Sequence, residues 1–127
     1  MIASLSSSSM NLTGGNEVLD QVGLVARIKG DMTFLRIVFE AFRSQYPEQR
    51  SEMKAAFAAN DFSRVRTIAH SLKGNASTLG GQRVAATAAD VMAACADGAS
   101  VGTTDIFRRL DAEVGQFQQA MTALLGY

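Results

Sequence analysis

The chain has one histidine, His70, and Ser63, Arg66, Thr67, Lys73, Gly74 and Ser77 stand around it at intervals of three, four and seven residues. Such spacings fall on one face of an α-helix. If the segment is helical, a ring that gains or loses a proton near neutrality sits between two cations and several small groups. An unprotonated imidazole nitrogen is a nucleophile. Arg66 and Lys73, one turn either way, are spaced to meet the oxygens of a phosphoryl group, whose transfer depends on positioning and charge stabilisation more than on bond making by the protein. Glycine inside a helix costs about 1 kcal/mol relative to alanine. At Gly74, one turn beyond His70, a missing side chain leaves the ring open to attack and to close approach by another protein.

The elements that position this face follow from hydrophobic spacing. Phe62, Val65, Ala69, Leu72, Ala76 and Leu79 repeat at steps of three and four, behind Asn60 or Asp61 as a helix cap. At about 100° per residue that seam centres roughly 135° from His70, so the ring faces outward. Upstream, a short helix is expected from about Asn16 to Lys29, ending at Gly30, with Asp31 capping the next. The second helical stretch, about Met32 to Ala59, carries Leu35, Val38 and Phe42 on one stripe, then Met53 and Phe57. Pro47 either kinks it or starts a further helix. Gly80-Gly81 punctuates the chain before a fourth helix, about Gln82 to Asp97, with Val84, Ala88, Val91 and Cys95 inward. Gly98 to Gly102 reads as a loop. A last helix, about Thr104 to Leu125, repeats the seam through Phe107, Leu110, Val114, Phe117, Met121 and Leu124. The expected class is all-α, an antiparallel four-helix bundle with an additional short N-terminal helix. Residues 1–15 read as a flexible Ser-rich tail or linker, and 16–127 as the domain.

Composition narrows the function. With 127 residues, one domain is expected; 12 acidic and 12 basic side chains balance, which argues against a nucleic-acid binder. One cysteine excludes an intrachain disulfide, and no Cys/His cluster has zinc spacing, so a reducing, cytoplasmic setting is expected and no metal site. Cys95 and the methionines are read as core filling. No signal peptide is recognisable, and no apolar run approaches the roughly 20 residues needed to cross a bilayer, so no direct membrane insertion is expected. Taken singly, the residues near His70 could be solvated charges and a tolerated glycine. Their coincidence on one face favours a site.

The run Ala69-His70-Ser71-Leu72-Lys73-Gly74, followed by Leu79-Gly80, resembles the signature of histidine-containing phosphotransfer (HPt) domains. The resemblance extends through Gly30-Asp31, Phe39, Phe42, Asn60-Asp61-Phe62 and Arg83-Val84, covering most of residues 16 to 97. It implies that His70 accepts a phosphoryl group from a receiver-domain aspartate and passes it to a response regulator in a two-component phosphorelay. Lys73 would be the charge partner and Gly74 the access position, with Arg66, Thr67, Ser77 and Gln82 as partner or phosphate surroundings. The implied partners are receiver domains of response regulators or hybrid histidine kinases, and the domain would be a monomer. The chain would be a phosphocarrier without an ATP site, in keeping with the lack of a P-loop or kinase-type glycine motif. It would need no cofactor, Mg²⁺ belonging to the receiver. Where many members place a glutamine or glutamate on the following helix to orient the ring, this chain has Met92, and Gln82 is a substitute candidate. The absence of a second histidine counts against the members fused to chemotaxis-type kinases.

Two other readings differ in what they require. A helical binding module would keep the bundle and dock a signalling partner independently of phosphorylation, so His70→Gln would leave binding intact. A small phosphatase or metal hydrolase would need a second histidine, a carboxylate pair or a ligand cluster, which the sequence lacks.

Overall fold

Three aspartates set the starts of three helices. In the computed structural model, which describes residues 17–96 and 103–126, Asp20, Asp31 and Asp61 accept side-chain hydrogen bonds from the backbone N–H groups of Gly23 (3.1 Å), Phe34 (3.0 Å) and Arg64 (3.2 Å). Each satisfies a donor that a helix start leaves orphaned, an effect of ~1 kcal/mol. The helices are α1 (Gln21–Ile28), α2 (Met32–Ala58), α3 (Phe62–Thr78), α4 (Gln82–Ala96) and α5 (Thr103–Leu125), and the described residues include no strand.

Several boundaries differ from the sequence expectation. α1 begins at Gln21, not near Asn16, because Asp20 caps it and residues 17–20 are not helical. It ends at Ile28 because Lys29 already turns left-handed (φ 54°), one residue ahead of Gly30 (φ 77°). Of the two candidate caps for α3, Asp61 takes the role, and Asn60 turns the chain at φ 60°. α2 runs unbroken through Pro47, which is exposed, while Tyr46 before it and Met53 and Phe57 after it are buried. In α5 the buried terminal position belongs to Leu125, four residues after Met121, and Leu124 is half-buried. The expected tail, Asn16, Asp97 and the expected loop Gly98 to Gly102 lie outside the described residues.

The four long helices close a ring in which α2 packs on α3 and α5, and α4 packs on α3 and α5. Pairings along each contact run in opposite directions, which makes neighbours antiparallel. Between α2 and α5, Arg36 donates to the Leu125 carbonyl, Arg50 to Asp111, and Phe57 meets Phe107. Between α4 and α5, Arg83 pairs with Glu113 (2.9 Å) and Asp90 with Arg109 (2.7 Å). Inside the ring, Phe39 and Phe42 meet Phe117 edge-on at 6.2 and 5.2 Å, and at the far level Phe57 contacts Phe62 and Phe107. Edge-to-face pairs of this kind add about 0.5–1.5 kcal/mol each beyond area burial.

α1 covers the turn from α3 to α4. Leu24 is fully buried, the Asp20 N–H donates to the Gly80 carbonyl (2.7 Å), and Arg27 donates to the carbonyls of Ser77 and Thr78 that end α3. Gly80 makes the turn at φ 78°, where a side chain would be strained. No helix among the described residues is long and apolar enough to cross a membrane.

Candidate functional site

α3 is held from behind. Val65, Ala69, Leu72 and Ala76 are fully buried and Ile68 nearly so, which turns the opposite face outward. His70, Ser63, Arg66, Thr67, Lys73, Gly74 and Ser77 are all exposed on it, as the helical spacing predicts. A fixed seam therefore presents the imidazole to solvent at a rigid position.

Ser63, Arg66, Thr67 and His70 line one shallow concavity of about 380 Å³ together with Met92, which reaches it from α4. Met92 is half-buried, so it is not simple core filling, as Met53 and Met121 are. No group among the described residues hydrogen-bonds to the His70 ring, and a thioether is only a weak acceptor. Neither ring nitrogen is committed to an internal partner. Gln82 is not brought to the ring. It opens α4, and the level of His70 falls at Met92, ten residues or about 15 Å further along that helix.

The small groups divide by what they already do. Thr67 Oγ1 donates to the Ser63 carbonyl (3.0 Å), so its proton is committed to the helix backbone and only its lone pairs are available. Lys73, Gly74 and Ser77 lie outside the concavity lining, on the exposed face toward the C-terminal end of α3. A methyl group built on Gly74 would meet nothing within 4 Å, so no internal packing requires the glycine.

Beyond Gly74, a second hollow of about 170 Å³ opens between α2 and α3, lined by Val38, Ala41, Phe42 and Gln45 from α2 and Asn75 and Thr78 from α3. Phe34 (53% exposed) and Ile37 (66% exposed) stand on the same helix. Of these α2 groups, Val38 and Phe42 are expected from the sequence as parts of the core stripe, but Phe34, Ile37, Ala41 and Gln45 are not. Their signal was a second apolar stripe, Phe34, Ile37 and Ala41 at steps of three and four, offset from the buried Leu35, Phe39 and Phe42.

Cys95 behaves as a core residue at 4% exposure, and burial pushes its thiol up, opposed by the charge of Arg66. It is not a reactive thiolate. On the other side of the ring of helices, Tyr46 Oη donates to Asp111 Oδ1 (2.6 Å) and Arg50 Nε donates to both carboxylate oxygens (2.6 and 2.9 Å). Burial raises the Asp111 carboxyl, but the hydrogen bonds from Arg50 and Tyr46 and the charges of Arg50 and Lys54 outweigh it, leaving the pKa lowered. Burial, then the Asp111 hydrogen bond, pushes the Tyr46 phenol well above its ordinary value. No group of three or more His, Cys, Asp or Glu side chains among the described residues could hold a metal ion.

The bundle thus offers its one histidine to solvent, beside cations and a glycine that packing does not require. The model of the Hpt domain matches residues 38–120, from α2 through most of α5, and the chain belongs to the Hpt domain family. Domains of this family carry phosphoryl groups on histidine in two-component phosphorelays. No curated protein and no solved structure matches the chain.

Proposed function

We propose that His70 is the phosphoacceptor and that the domain takes the phosphoryl group from a receiver-domain aspartate and delivers it to a response regulator. The unprotonated imidazole nitrogen attacks phosphorus, the N–P bond forms, and the P–O bond to the aspartate breaks with the electron pair leaving on the carboxylate. Return transfer reverses those bonds. The observation that carries this reading is that the sole histidine is exposed, without a hydrogen-bond partner among the described residues, on a face that also carries Arg66 and Lys73.

Lys73 stabilises charge on the transferring group, and Gly74 admits the partner's acidic pocket to the ring. Ser77 meets the partner beside it. Mg²⁺ enters with the receiver. The partner's apolar surface docks on α2, where Phe34 and Ile37 are exposed and the hollow between Val38, Ala41 and Asn75 lies just past Gly74. In this reading the domain acts as a monomer whose His70 face stays open to successive partners.

The test is to mix the purified domain with phosphorylated receivers from the same genome and follow the label. Transfer to the domain, lost in His70→Gln, is expected. No transfer from any receiver, or partner binding and signalling that survive His70→Gln intact, would favour the docking-module reading instead.

A further inference from the structure

Of the nine arginines in the chain, eight direct their guanidinium groups to carboxylates or to backbone carbonyls at helix ends. Arg66 is the exception: among the described residues it has no hydrogen-bond or ion-pair partner. It is also the arginine that lines the concavity holding His70. Its charge is felt at Cys95 on α4, so the guanidinium lies on the α4 side of the ring, the side where Met92 forms the wall.

From these observations we infer that Arg66 is the group that holds the phosphoryl oxygens once phosphorus is bonded to His70, an inference that rests on His70 being the acceptor. Residues four apart on a helix have Cβ atoms about 5–6 Å apart, within reach of a guanidinium and a phosphoryl group on the ring. A guanidinium is a planar fork that matches two phosphate oxygens at once and stays charged at any working pH. Nothing else in the concavity competes for the role. The Thr67 proton is committed to the backbone, the Met92 thioether donates nothing, and Ser63 offers a neutral hydroxyl. Lys73 is outside the lining, which leaves it to act on the group in flight between domains, whereas Arg66 binds the group at rest.

The division is testable without a partner protein, with phosphoramidate as donor. The unprotonated ring nitrogen attacks phosphorus, the N–P bond to the ring forms, the P–N bond of phosphoramidate breaks, and ammonia leaves with the electron pair. At fixed phosphoramidate and ammonium concentrations, ³¹P NMR reads the fraction of His70 phosphorylated. Arg66→Ala should lower the equilibrium constant about three- to tenfold, the range for a charge-assisted contact at an exposed site. Arg66→Lys should fall between it and the wild type, since an ammonium keeps the charge but not the fork. Arg64→Ala removes the same charge from the same helix, off the His70 face where Arg64 pairs with Glu52, and should retain the wild-type constant. Thermal melts of Arg66→Ala should overlay the wild type. An unchanged constant in Arg66→Ala, or an equal drop in Arg64→Ala, would overturn the role of Arg66 while leaving His70 as acceptor. If wild-type protein carried no phosphate on His70, both readings would fall.

Discussion

The α2–α5 seam and the exposed face of α3 use similar side chains for opposite ends. At the seam, Tyr46, Arg50 and Asp111 satisfy one another at 2.6 to 2.9 Å, partly out of water. On α3, His70, Arg66 and Lys73 have no partners among the described residues. A paired cation holds helices together; an unpaired one beside a nucleophile is available to an incoming group. The two regions are separable because α3 and α5 stand diagonally in the ring, each packing on α2 and α4.

The largest effect is expected at Leu72, whose side chain is fully buried on the back of α3. Leu72→Asp places a carboxylate in the core and should cost ~4 kcal/mol or more, a large part of a small domain's stability, so circular dichroism should show unfolding. A folded Leu72→Asp protein would mean that α3 is not anchored as described. Next in size, Asp111→Ala strands the buried Tyr46 hydroxyl and should cost ~1–3 kcal/mol in denaturant titrations while leaving transfer to His70 at its wild-type rate.

The α2–α5 seam also gives stability a pH dependence. The Asp111 pKa is lowered in the fold relative to an unfolded value of ~3.9. Its contribution to stability is therefore present above that value and is lost as pH falls through the depressed folded pKa. Asp111→Asn should flatten that acid limb, and unfolding curves between neutral pH and pH ~3 would show it. An acid limb identical to wild type would place the titration elsewhere.

Lys73→Ala should keep the fold and slow transfer from a phosphorylated receiver about tenfold, since it removes charge stabilisation without touching the core. Loss of helicity in this variant would mean that Lys73 is not a surface residue. The smallest effect comes from two glycines, Gly74 and Gly115, each inside a helix with nothing within 4 Å of an added methyl. Alanine at either should stabilise the fold by about 0.5–1 kcal/mol. Only Gly74→Ala should also slow transfer; equal rates for the two variants would remove the access role of Gly74.

Much of this was legible in the sequence because periodicity is a local signal. The steps through Val65, Ala69, Leu72 and Ala76 turn His70 outward, Asp31 marks one helix start, and the pair Asn60-Asp61 marks another without saying which of the two caps it. Where the sequence misled, the deciding contacts came from elsewhere in the chain. α1 starts late because Asp20 both caps it and donates its N–H to Gly80 across the α3–α4 turn. Gln82 looked available to the ring until the α3–α4 alignment put Met92 at that level. The Tyr46–Arg50–Asp111 clasp joins residues too far apart in sequence to be paired by spacing. That Arg66 has no partner among the described residues depends on where the helices pair the other arginines, which spacing along the chain does not carry.

If His70 is the acceptor, phosphate resides on its ring. After incubation with a phosphorylated receiver, the domain should carry a label that is stable in alkali and lost in acid, mapped to His70 by mass spectrometry, and a folded His70→Gln variant should carry none. Label retained by His70→Gln, or acid-stable label on another residue, would contradict it.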